Sequence, residues 1–285
     1  MKSVKICVAA ITAGVVCIAV MLGILSAAIY AENESGDSFI GLMYHQVLKD
    51  ESRAGKYIIT PNELESDLAY LSENGYVSVL PSQLVKIREQ GGRLPEKTVV
   101  ITFDDGYETG LYYVLPLLKK YGMKAVINVV GSYTDEYSQI NEEGRHLSYA
   151  YLTWDEIRKL SDSGYVEIGN HTYNMHSYNG DRNGCARKEN ESDEQYRTVL
   201  YEDVSRLSDK LQQVTGKRPV AFAYPFGSLS EGSAEIIGSA GISVFMTCCE
   251  QPCSMNRNGR IVINRYNRES GRTARQICEE FNNAF

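Results

Sequence analysis

The feature that most limits the fold of this chain is a regular alternation of short apolar runs with longer helical patterns. Strand followed by helix, repeated with right-handed crossovers, builds a parallel sheet. About 250 residues and seven or eight strands favour a closed sheet. We therefore predict an α/β fold, an irregular (β/α) barrel of seven or eight parallel strands. The predicted strands are Ile40–Tyr44, Val77–Leu80, Thr98–Phe103, Ala125–Val130, Val166–Gly169, Val220–Tyr224, Ser243–Thr247 and Arg260–Asn264.

Three stretches between these strands carry apolar residues at helical spacing. The first helix is predicted to begin at Thr60-Pro61 and to end near Gly75, and the longest ends at Gly216. The third, over residues 107–121, should be kinked at Pro116, because proline lacks the N–H that a helix interior needs. Each helix has one apolar face with which to cover the sheet.

The first residues of the chain predict a targeting segment. Lys2 and Lys5 precede an uncharged stretch from Ile6 to Ala31, which is longer than the roughly 20 apolar residues needed to cross a bilayer. Small residues before Ala31 could also form a signal-peptide cleavage site. Residues 1–31 are therefore predicted to be a signal-anchor transmembrane helix or a cleaved signal peptide. In either case the positive-inside bias places the domain at 39–285, after a polar linker at 32–38, outside the cytoplasm.

The charge balance argues against nucleic acid as a partner. The chain has 29 lysines and arginines against 36 acidic residues, a formal net charge of −7. Binding to a phosphate backbone depends on clustered positive charge, which an acidic chain of this kind does not provide.

Five cysteines lie outside the apolar N-terminal stretch, namely Cys185, Cys248, Cys249, Cys253 and Cys278. An odd number cannot all pair within one chain, and the sequence does not indicate which of them pair. A zinc site built on Cys248, Cys249 and Cys253 would need a fourth ligand, and no histidine or fourth thiol lies nearby in the sequence. We therefore predict a disulfide or buried free thiols in preference to a zinc site.

The strand Thr98–Phe103 ends abruptly in Asp104-Asp105-Gly106. Adjacent side chains on a regular strand point to opposite faces, but Gly106 lets the backbone turn and could bring both carboxylates to one rim. Two neighbouring anions repel each other unless a cation or a hydrogen-bond donor lies between them. The alternative is an ordinary turn in which one of the two aspartates caps the next helix.

Two of the four histidines, His171 and His176, follow another strand. Residues at i and i+5 lie about 140° apart on a helix and on opposite faces of a strand. The two rings can therefore meet only in an irregular loop, for which a bound metal is the obvious cause. Two nitrogen ligands and one carboxylate, with one position open, form a catalytic metal set. The alternative is two unrelated surface histidines.

Two further strand ends carry candidate residues. His45 follows the first strand of the domain, where a lone histidine usually has a structural role. The strand Val220–Tyr224 runs into Pro225-Phe226-Gly227, a turn that can offer backbone N–H groups and aromatic walls. Many ordinary turns have the same composition.

Taken in order, these motifs resemble those of the NodB-homology polysaccharide deacetylases. Most of that family has histidines at i, i+4, an arginine-proline-proline turn and a late histidine. This chain has i, i+5 spacing, Ala223 in place of that arginine, and no histidine after His176. Those departures resemble the poly-β-1,6-N-acetylglucosamine N-deacetylase branch. That branch also has an early Tyr-His pair, which is Tyr44-His45 in this chain. The motifs are Thr102-Phe103-Asp104-Asp105-Gly106, Asn170-His171-Thr172 with His176, and Tyr224-Pro225-Phe226-Gly227.

The resemblance implies a metal site and a catalytic pair. Asp105, His171 and His176 would hold a divalent metal, zinc in the first place and cobalt, nickel, manganese or iron as alternatives. Asp104 would be the general base. His45 would be the general acid that the late histidine supplies elsewhere in the family, and His146 is its competitor.

Other residues are predicted to support this site. The backbone N–H of Phe226 would stabilise the oxyanion, and Tyr224, Pro225 and Phe226 would contact substrate. Arg265, which follows the last predicted strand, would orient the base in place of the missing turn arginine. Trp154 would either begin a helix or stack on a sugar ring.

The implied activity is removal of N-acetyl groups from N-acetylglucosamine residues of an extracellular polysaccharide similar to poly-N-acetylglucosamine. The rival substrate is the N-acetylglucosamine of peptidoglycan. A different class of function is a membrane-tethered glycan-binding domain without catalysis, and a third is a redox or zinc-structural protein built on the cysteines. Asp104 and every metal ligand are present, which favours the enzyme.

Overall fold

A computed structural model of the chain describes residues 38–178, 182–256 and 259–283. The predicted targeting segment at 1–31, and the linker except for Ser38, lie outside the described residues. Ser38 is the first residue of the first strand. Within the ranges that are described, no helix is long and apolar enough to cross a membrane.

The strands fall close to the predicted positions, and several are shorter than predicted. Val77–Leu80 contributes only two strand residues, because Leu80 caps the N-terminus of the next helix. The strands are β1 (Ser38–Tyr44), β2 (Gln46–Val47), β3 (Ile58–Ile59), β4 (Val77–Ser78), β5 (Thr98–Phe103), β6 (Ala125–Val129), β7 (Val166–Asn170), β8 (Ala221–Ala223), β9 (Val244–Met246), β10 (Cys253–Ser254), β11 (Ile261–Ile263) and β12 (Arg265–Asn267).

The main sheet is a nearly closed, predominantly parallel barrel. Its strands neighbour one another in the order β1, β5, β6, β7, β8, β9, β11. After Asn264 the chain continues from β11 into β12, which pairs in parallel with β1 and brings the two ends of the sheet together. The short β10 adds an antiparallel edge to β1, and β4 pairs with β5. The predicted irregular parallel barrel is confirmed in this form.

Helices cover the outside of the barrel. Thr60 caps the first of them through a reciprocal capping box with Glu63, and Gly216 ends the longest with a φ of 72°. The helices are α1 (Pro61–Glu73), α2 (Pro81–Glu89), α3 (Leu115–Tyr121), α4 (Gly131–Tyr137), α5 (Trp154–Asp162), α6 (Asp193–Thr215), α7 (Ser233–Ser239) and α8 (Ala274–Asn283).

The helix predicted over residues 107–121 is shorter and begins irregularly. A π-helical turn at Gly110–Val114 leads directly into α3. Pro116 is the second residue of α3, where its missing N–H costs no helix hydrogen bond. Its ring would clash with the carbonyl four residues earlier in a regular helix, and the widened turn before α3 relieves that clash.

Alternation along β5 explains how the barrel aims its polar residues. Val99, Ile101 and Phe103 belong to the apolar layer between the barrel and the helices, whereas Val100 belongs to the cluster inside the barrel. Asp104 directly follows the strand and, by the same alternation, points inward like Val100; its side chain is 3% exposed. Its carboxylate therefore lies at the carboxyl end of the barrel interior.

Buried charges hold the segment that packs against the Asp104-Asp105-Gly106 turn. Leu152 N–H donates to the Gly106 carbonyl at 2.8 Å. Arg145 Nη1 lies 3.0 Å from Glu108 Oε1 and 3.3 Å from Glu156 Oε2. Burial, followed by the charge of Glu156, raises the pKa of Glu108 to about 7 even though Arg145 opposes the shift.

This raised pKa predicts a pH-dependent stability. The stabilisation by protonated Glu108 is complete below the pKa of a free glutamate, about 4.3, and is lost as the pH rises through about 7. We therefore expect the free energy of unfolding to fall across that window, by at most about 1.4 kcal/mol per pH unit for this group. Glu108→Gln should flatten the slope in urea unfolding at a series of pH values. Glu96→Gln, which changes an exposed glutamate, is the control; if Glu108→Gln and this control show the same slope, the assignment is wrong.

Candidate active site

The turn after β5 brings two adjacent carboxylates to one pocket. Asp105 has a φ of 71° and Gly106 a φ of 73°, so two consecutive residues adopt the left-handed conformation. Among the described residues that are not glycine, four have positive φ, and Asp105, Thr172 and Phe226 all belong to this site. Strained backbone of this kind concentrates at functional sites.

Asp105, His171 and His176 converge on one point. His176 Nε2 lies 3.0 Å from Asp105 Oδ1, and His171 Nε2 lies 3.5 Å from the same oxygen. Within the described ranges this is the only group of three or more His, Cys, Asp or Glu ligand atoms that all lie within 4.8 Å of one another. The structure therefore brings together the three predicted ligands.

An irregular loop accounts for the i, i+5 spacing of the two histidines. Asn170 Oδ1 accepts the Thr172 N–H at 2.8 Å, and Thr172 has a φ of 73°. The carboxylate of Asp203, on α6, accepts the backbone N–H groups of Tyr173 at 2.7 Å and of Asn174 at 2.8 Å. These bonds fold the loop so that both imidazoles face Asp105.

The chemistry of this donor set fits a divalent metal. His171 Nδ1–H donates to the Ala223 carbonyl at 2.8 Å, which leaves the lone pair of Nε2 facing Asp105. Ligand bonds of about 2.0–2.2 Å put tetrahedral donors roughly 3.3 Å apart, close to the spacings found here. When no metal is bound and Nε2 carries a proton, the ring can donate to Asp105; burial lowers the pKa of His171, but this bond and the nearby carboxylate charges outweigh burial and raise that pKa. A cation would compensate the same cluster of negative charge.

Asp104 is held by a buried arginine from the closing strand. Arg265 Nη1 donates to Asp104 Oδ1 at 2.8 Å and to Thr102 Oγ1 at 3.1 Å, and Arg265 is completely buried. Asn128 Nδ2 also donates to Asp104 Oδ1, at 2.7 Å. Burial raises the pKa of Asp104, but the charges of Arg265 and His171 and the hydrogen bond from Arg265 together outweigh burial and lower the pKa to about 2. Asp104 is therefore ionised at neutral pH.

His45 lines the same pocket. Its ring packs edge-on to Tyr57, with the centroids 4.7 Å apart. The buried Nδ1 has no hydrogen-bond partner within the part of the chain that the structure describes. Burial lowers the pKa of His45, and the charges of Asp105 and Asp104 oppose this shift.

The turn after β8 forms an aromatic wall. Phe226 has a φ of 59°, which turns its backbone at the pocket edge. Its ring lies 4.6 Å from that of His176 and 5.4 Å from that of Tyr178, measured between centroids. Tyr224 also lines the pocket, whereas Pro225 is buried and does not.

The pocket has a volume of about 530 Å³ and combines the carboxylate–histidine cluster with aromatic and charged walls. The lining residues are Met43, His45, Lys56, Tyr57, Asp104, Asp105, Tyr107, His171, His176, Tyr178, Tyr224, Phe226, Cys248, Glu250 and Asn267.

Two candidates lie elsewhere. Trp154 begins α5, and its indole N–H donates to Asp135 Oδ1 at 2.8 Å. Of its two predicted roles, the position at a helix start is the one seen here: the ring packs against the helical layer and is not among the residues that line this pocket. His146, the competitor of His45, accepts the Ser148 N–H in its own loop and does not line the pocket either.

The five cysteines outside the N-terminal stretch are free thiols. Cys185, Cys253 and Cys278 are buried, in agreement with the prediction of buried thiols, and Cys248 and Cys249 are exposed. Within the described residues they do not form a metal-ligand group.

Sequence reasoning missed two residues that shape this site. Asn128 is the polar member of the apolar strand Ala125–Val129, and an interior polar residue of that kind is a usable signal. Asp203 lies on the long helix α6 among apolar core positions. Nothing in its spacing distinguishes it from a solvated helix residue, because its role depends on the fold of a distant loop.

Comparison with known proteins identifies relatives. Poly-beta-1,6-N-acetyl-D-glucosamine N-deacetylase of Escherichia coli (strain K12) is 27% identical over 230 residues. The alignment covers 74% of this chain and 34% of the relative, so this chain spans about a third of that protein.

Solved structures show the same fold. A de-N-acetylase from Aggregatibacter actinomycetemcomitans superposes with a TM-score of 0.73 at 27% identity, covering 85% of this chain and 99% of its own. IcaB from Ammonifex degensii superposes with a TM-score of 0.67 at 26% identity, covering 86% and 97%.

The family model described as polysaccharide deacetylase matches residues 91–245, more than half of the chain. That range includes Asp104, Asp105, His171 and His176, whereas Arg265 lies outside it. The resemblance drawn from the motifs is confirmed, and the chain belongs to the polysaccharide deacetylase family.

Proposed function

We propose that the domain at 39–285 is a metal-dependent N-deacetylase acting on the N-acetylglucosamine residues of a polysaccharide outside the cytoplasm. The observation that carries this proposal is the joint position of the Asp105, His171 and His176 donors beside the buried Asp104–Arg265 pair, in one pocket. A glycan-binding domain without catalysis has no need of a buried carboxylate held at such a site.

Asp105, His171 and His176 would hold the metal, which we propose to be zinc or another divalent cation. A bound divalent cation supplies a Lewis acid that lowers the pKa of water from about 15.7 toward 7 and polarises a carbonyl group. The protein's part is to aim the Nε2 atoms of both imidazoles at Asp105. The bond from His171 Nδ1 to the Ala223 carbonyl does this for His171.

Asp104 would act as general base. The carboxylate takes a proton from the water that adds to the acetyl carbonyl carbon, and Arg265 keeps the carboxylate in place while this happens. The backbone N–H of Phe226 would donate to the oxygen that becomes negative.

His45 would complete the reaction as general acid. The C–N bond of the acetamide breaks, and His45 delivers a proton to the departing nitrogen, so that the products are acetate and a free amine. Burial lowers the pKa of this imidazole, and the charges of Asp105 and Asp104 offset part of that shift.

The relatives support a poly-β-1,6-N-acetylglucosamine substrate, which is the one in the name of the Escherichia coli protein. Since this chain spans about a third of that protein, the substrate remains part of the proposal. The apolar N-terminal segment at 1–31 supports a location outside the cytoplasm, with the domain either tethered to the membrane or secreted.

The direct test is an assay of acetate release from poly-β-1,6-N-acetylglucosamine and from peptidoglycan, each with and without a chelator. We expect release from the first polymer, its loss in chelator, and its return when the metal is added back. Release from peptidoglycan alone would reassign the substrate. Full activity in excess chelator would contradict the proposed metal dependence. If neither polymer releases acetate, the proposed N-deacetylase activity is wrong.

His45→Ala should lower kcat on the amide substrate about 10²-fold, because the departing nitrogen is no longer protonated. An activated aryl acetate has a leaving group that needs no proton, so its hydrolysis should fall much less. The metal content should not change. His146→Ala is the matched control and should keep wild-type kcat on both substrates. Equal losses on amide and ester would exclude His45 as the acid.

A further inference from the structure

The carboxylate of Asp104 is held through one of its two oxygens. Arg265 Nη1 and Asn128 Nδ2 both donate to Oδ1, at 2.8 Å and 2.7 Å. Every side-chain hydrogen bond seen between the described residues and this carboxylate ends on Oδ1. Asp104 lines the pocket, so Oδ2 is the oxygen left to face a substrate or a water.

Asn128 reaches this position from inside the barrel. It lies on β6, beside the strand that ends in Asp104, and it is completely buried. Its amide must present nitrogen to Asp104, because the reversed orientation would set the amide oxygen against a carboxylate oxygen, and both are acceptors.

The orientation of this amide leaves its own oxygen without a partner. Asn128 Oδ1 is buried and accepts no hydrogen bond from the described residues. An orphaned buried carbonyl is unfavourable for folding, and an apolar side chain of similar size would avoid that cost. Within the described residues the amide nitrogen also contacts the Met246 sulfur at 3.4 Å, a weak acceptor, so the bond to Asp104 is the main interaction that favours an amide here.

Gly169 makes the room that this amide needs. It is the residue directly opposite Asn128 on β7. A Cβ at Gly169 would lie 2.0 Å from Asn128 Oδ1, far closer than a Cβ can approach an atom to which it is not bonded. Two neighbouring strands thus cooperate to place one hydrogen-bond donor beside Asp104.

We propose that Asn128 is a positioning residue of the deacetylase site, and that it works with Arg265 to fix Asp104 so that Oδ2 accepts the proton. Two donors on one oxygen restrain rotation of the carboxylate more than one donor does. This inference rests on the proposed function and assigns a role to a residue outside all the motifs of the sequence.

The test begins with Asn128→Leu, which keeps the volume of the side chain and removes the donor. We expect kcat for acetate release to fall about 10²-fold, the loss expected for a slightly misplaced catalytic group. KM should stay within about twofold, and metal content should be unchanged. The melting temperature should be equal or higher, because the orphaned carbonyl is gone.

Val126→Ala is the matched control. Val126 lies two residues earlier on β6, on the same inward face, and is buried in the barrel cluster. This variant should lower the melting temperature and keep kcat. Together, the two variants separate disturbed packing from the loss of the donor.

A double-mutant cycle tests the part played by Gly169. Gly169→Ala should lower kcat by displacing the amide, but it should add no further loss in a protein that already carries Asn128→Ala. If Gly169→Ala does not fold, the Asn128 variants still decide the question.

Each outcome has a definite meaning. Wild-type kcat in Asn128→Leu overturns the inference and leaves the proposed function intact, provided that the wild-type protein releases acetate. A loss of kcat accompanied by lost metal or a lower melting temperature assigns Asn128 a structural role and also overturns the inference. If the wild-type protein releases no acetate, the proposed function itself fails.

Discussion

Asp104→Asn should lower kcat for acetate release about 10³-fold or more and leave the bound metal in place. The amide keeps the shape of the side chain but cannot take a proton from water, and general-base catalysis is worth about 10²–10⁴-fold. Asp105, His171 and His176 are untouched, so the site should still bind one ion. The measurements are single-turnover acetate release and metal content by mass spectrometry on the same preparation.

Two results would contradict this assignment. Near-normal turnover in Asp104→Asn would show that another group accepts the proton. Loss of the metal would show that Asp104 belongs to the ligand set. Asp155→Asn, an exposed aspartate at the start of α5, is the matched control and should behave as wild type.

His171→Ala should abolish both metal binding and turnover, and it should do so without unfolding the domain. Removing one of three protein ligands leaves too few for a stable site. The barrel has its own apolar core, so the melting temperature of the variant should match that of the metal-free wild type. This is the behaviour of a catalytic site, since structural zinc sites lose their fold with the metal.

The expected values are a metal stoichiometry near zero, acetate release lowered by more than about 10³-fold, and an unchanged far-ultraviolet circular dichroism spectrum. His146→Ala, which changes a histidine outside the pocket, is the control for the substitution itself. If His171→Ala kept one ion per chain, the ligand assignment would be wrong. If it unfolded the domain, the site would be structural.

Much of the fold was predictable because apolar runs and turn residues are local signals. The strand Thr98–Phe103 was predicted with its observed bounds, and its abrupt end in two aspartates marked the site. The hypothesis that Arg265 reaches Asp104 followed from its place after a strand. The structure places these two side chains 2.8 Å apart, and the role of Arg265 stays a prediction.

Features that depend on pairing between distant strands were not predictable. Asn128 faces Asp104 only because β6 neighbours β5 in a particular register, and the room for it comes from Gly169 on a third strand. The hydrogen-bond partner of Trp154 was not predictable for a related reason. An indole N–H needs a partner, and the fold supplies one in Asp135, which no spacing rule connects to it.

The closing strand has a consequence for how the protein becomes active during synthesis. Arg265 lies 161 positions after Asp104, whereas all three proposed metal ligands occur by residue 176. During synthesis, all three proposed ligand residues are therefore added to the chain long before Arg265, whose guanidinium holds the Asp104 carboxylate. A protease that removed the tail from β12 onward would take away both this guanidinium and the strand that joins the two ends of the sheet.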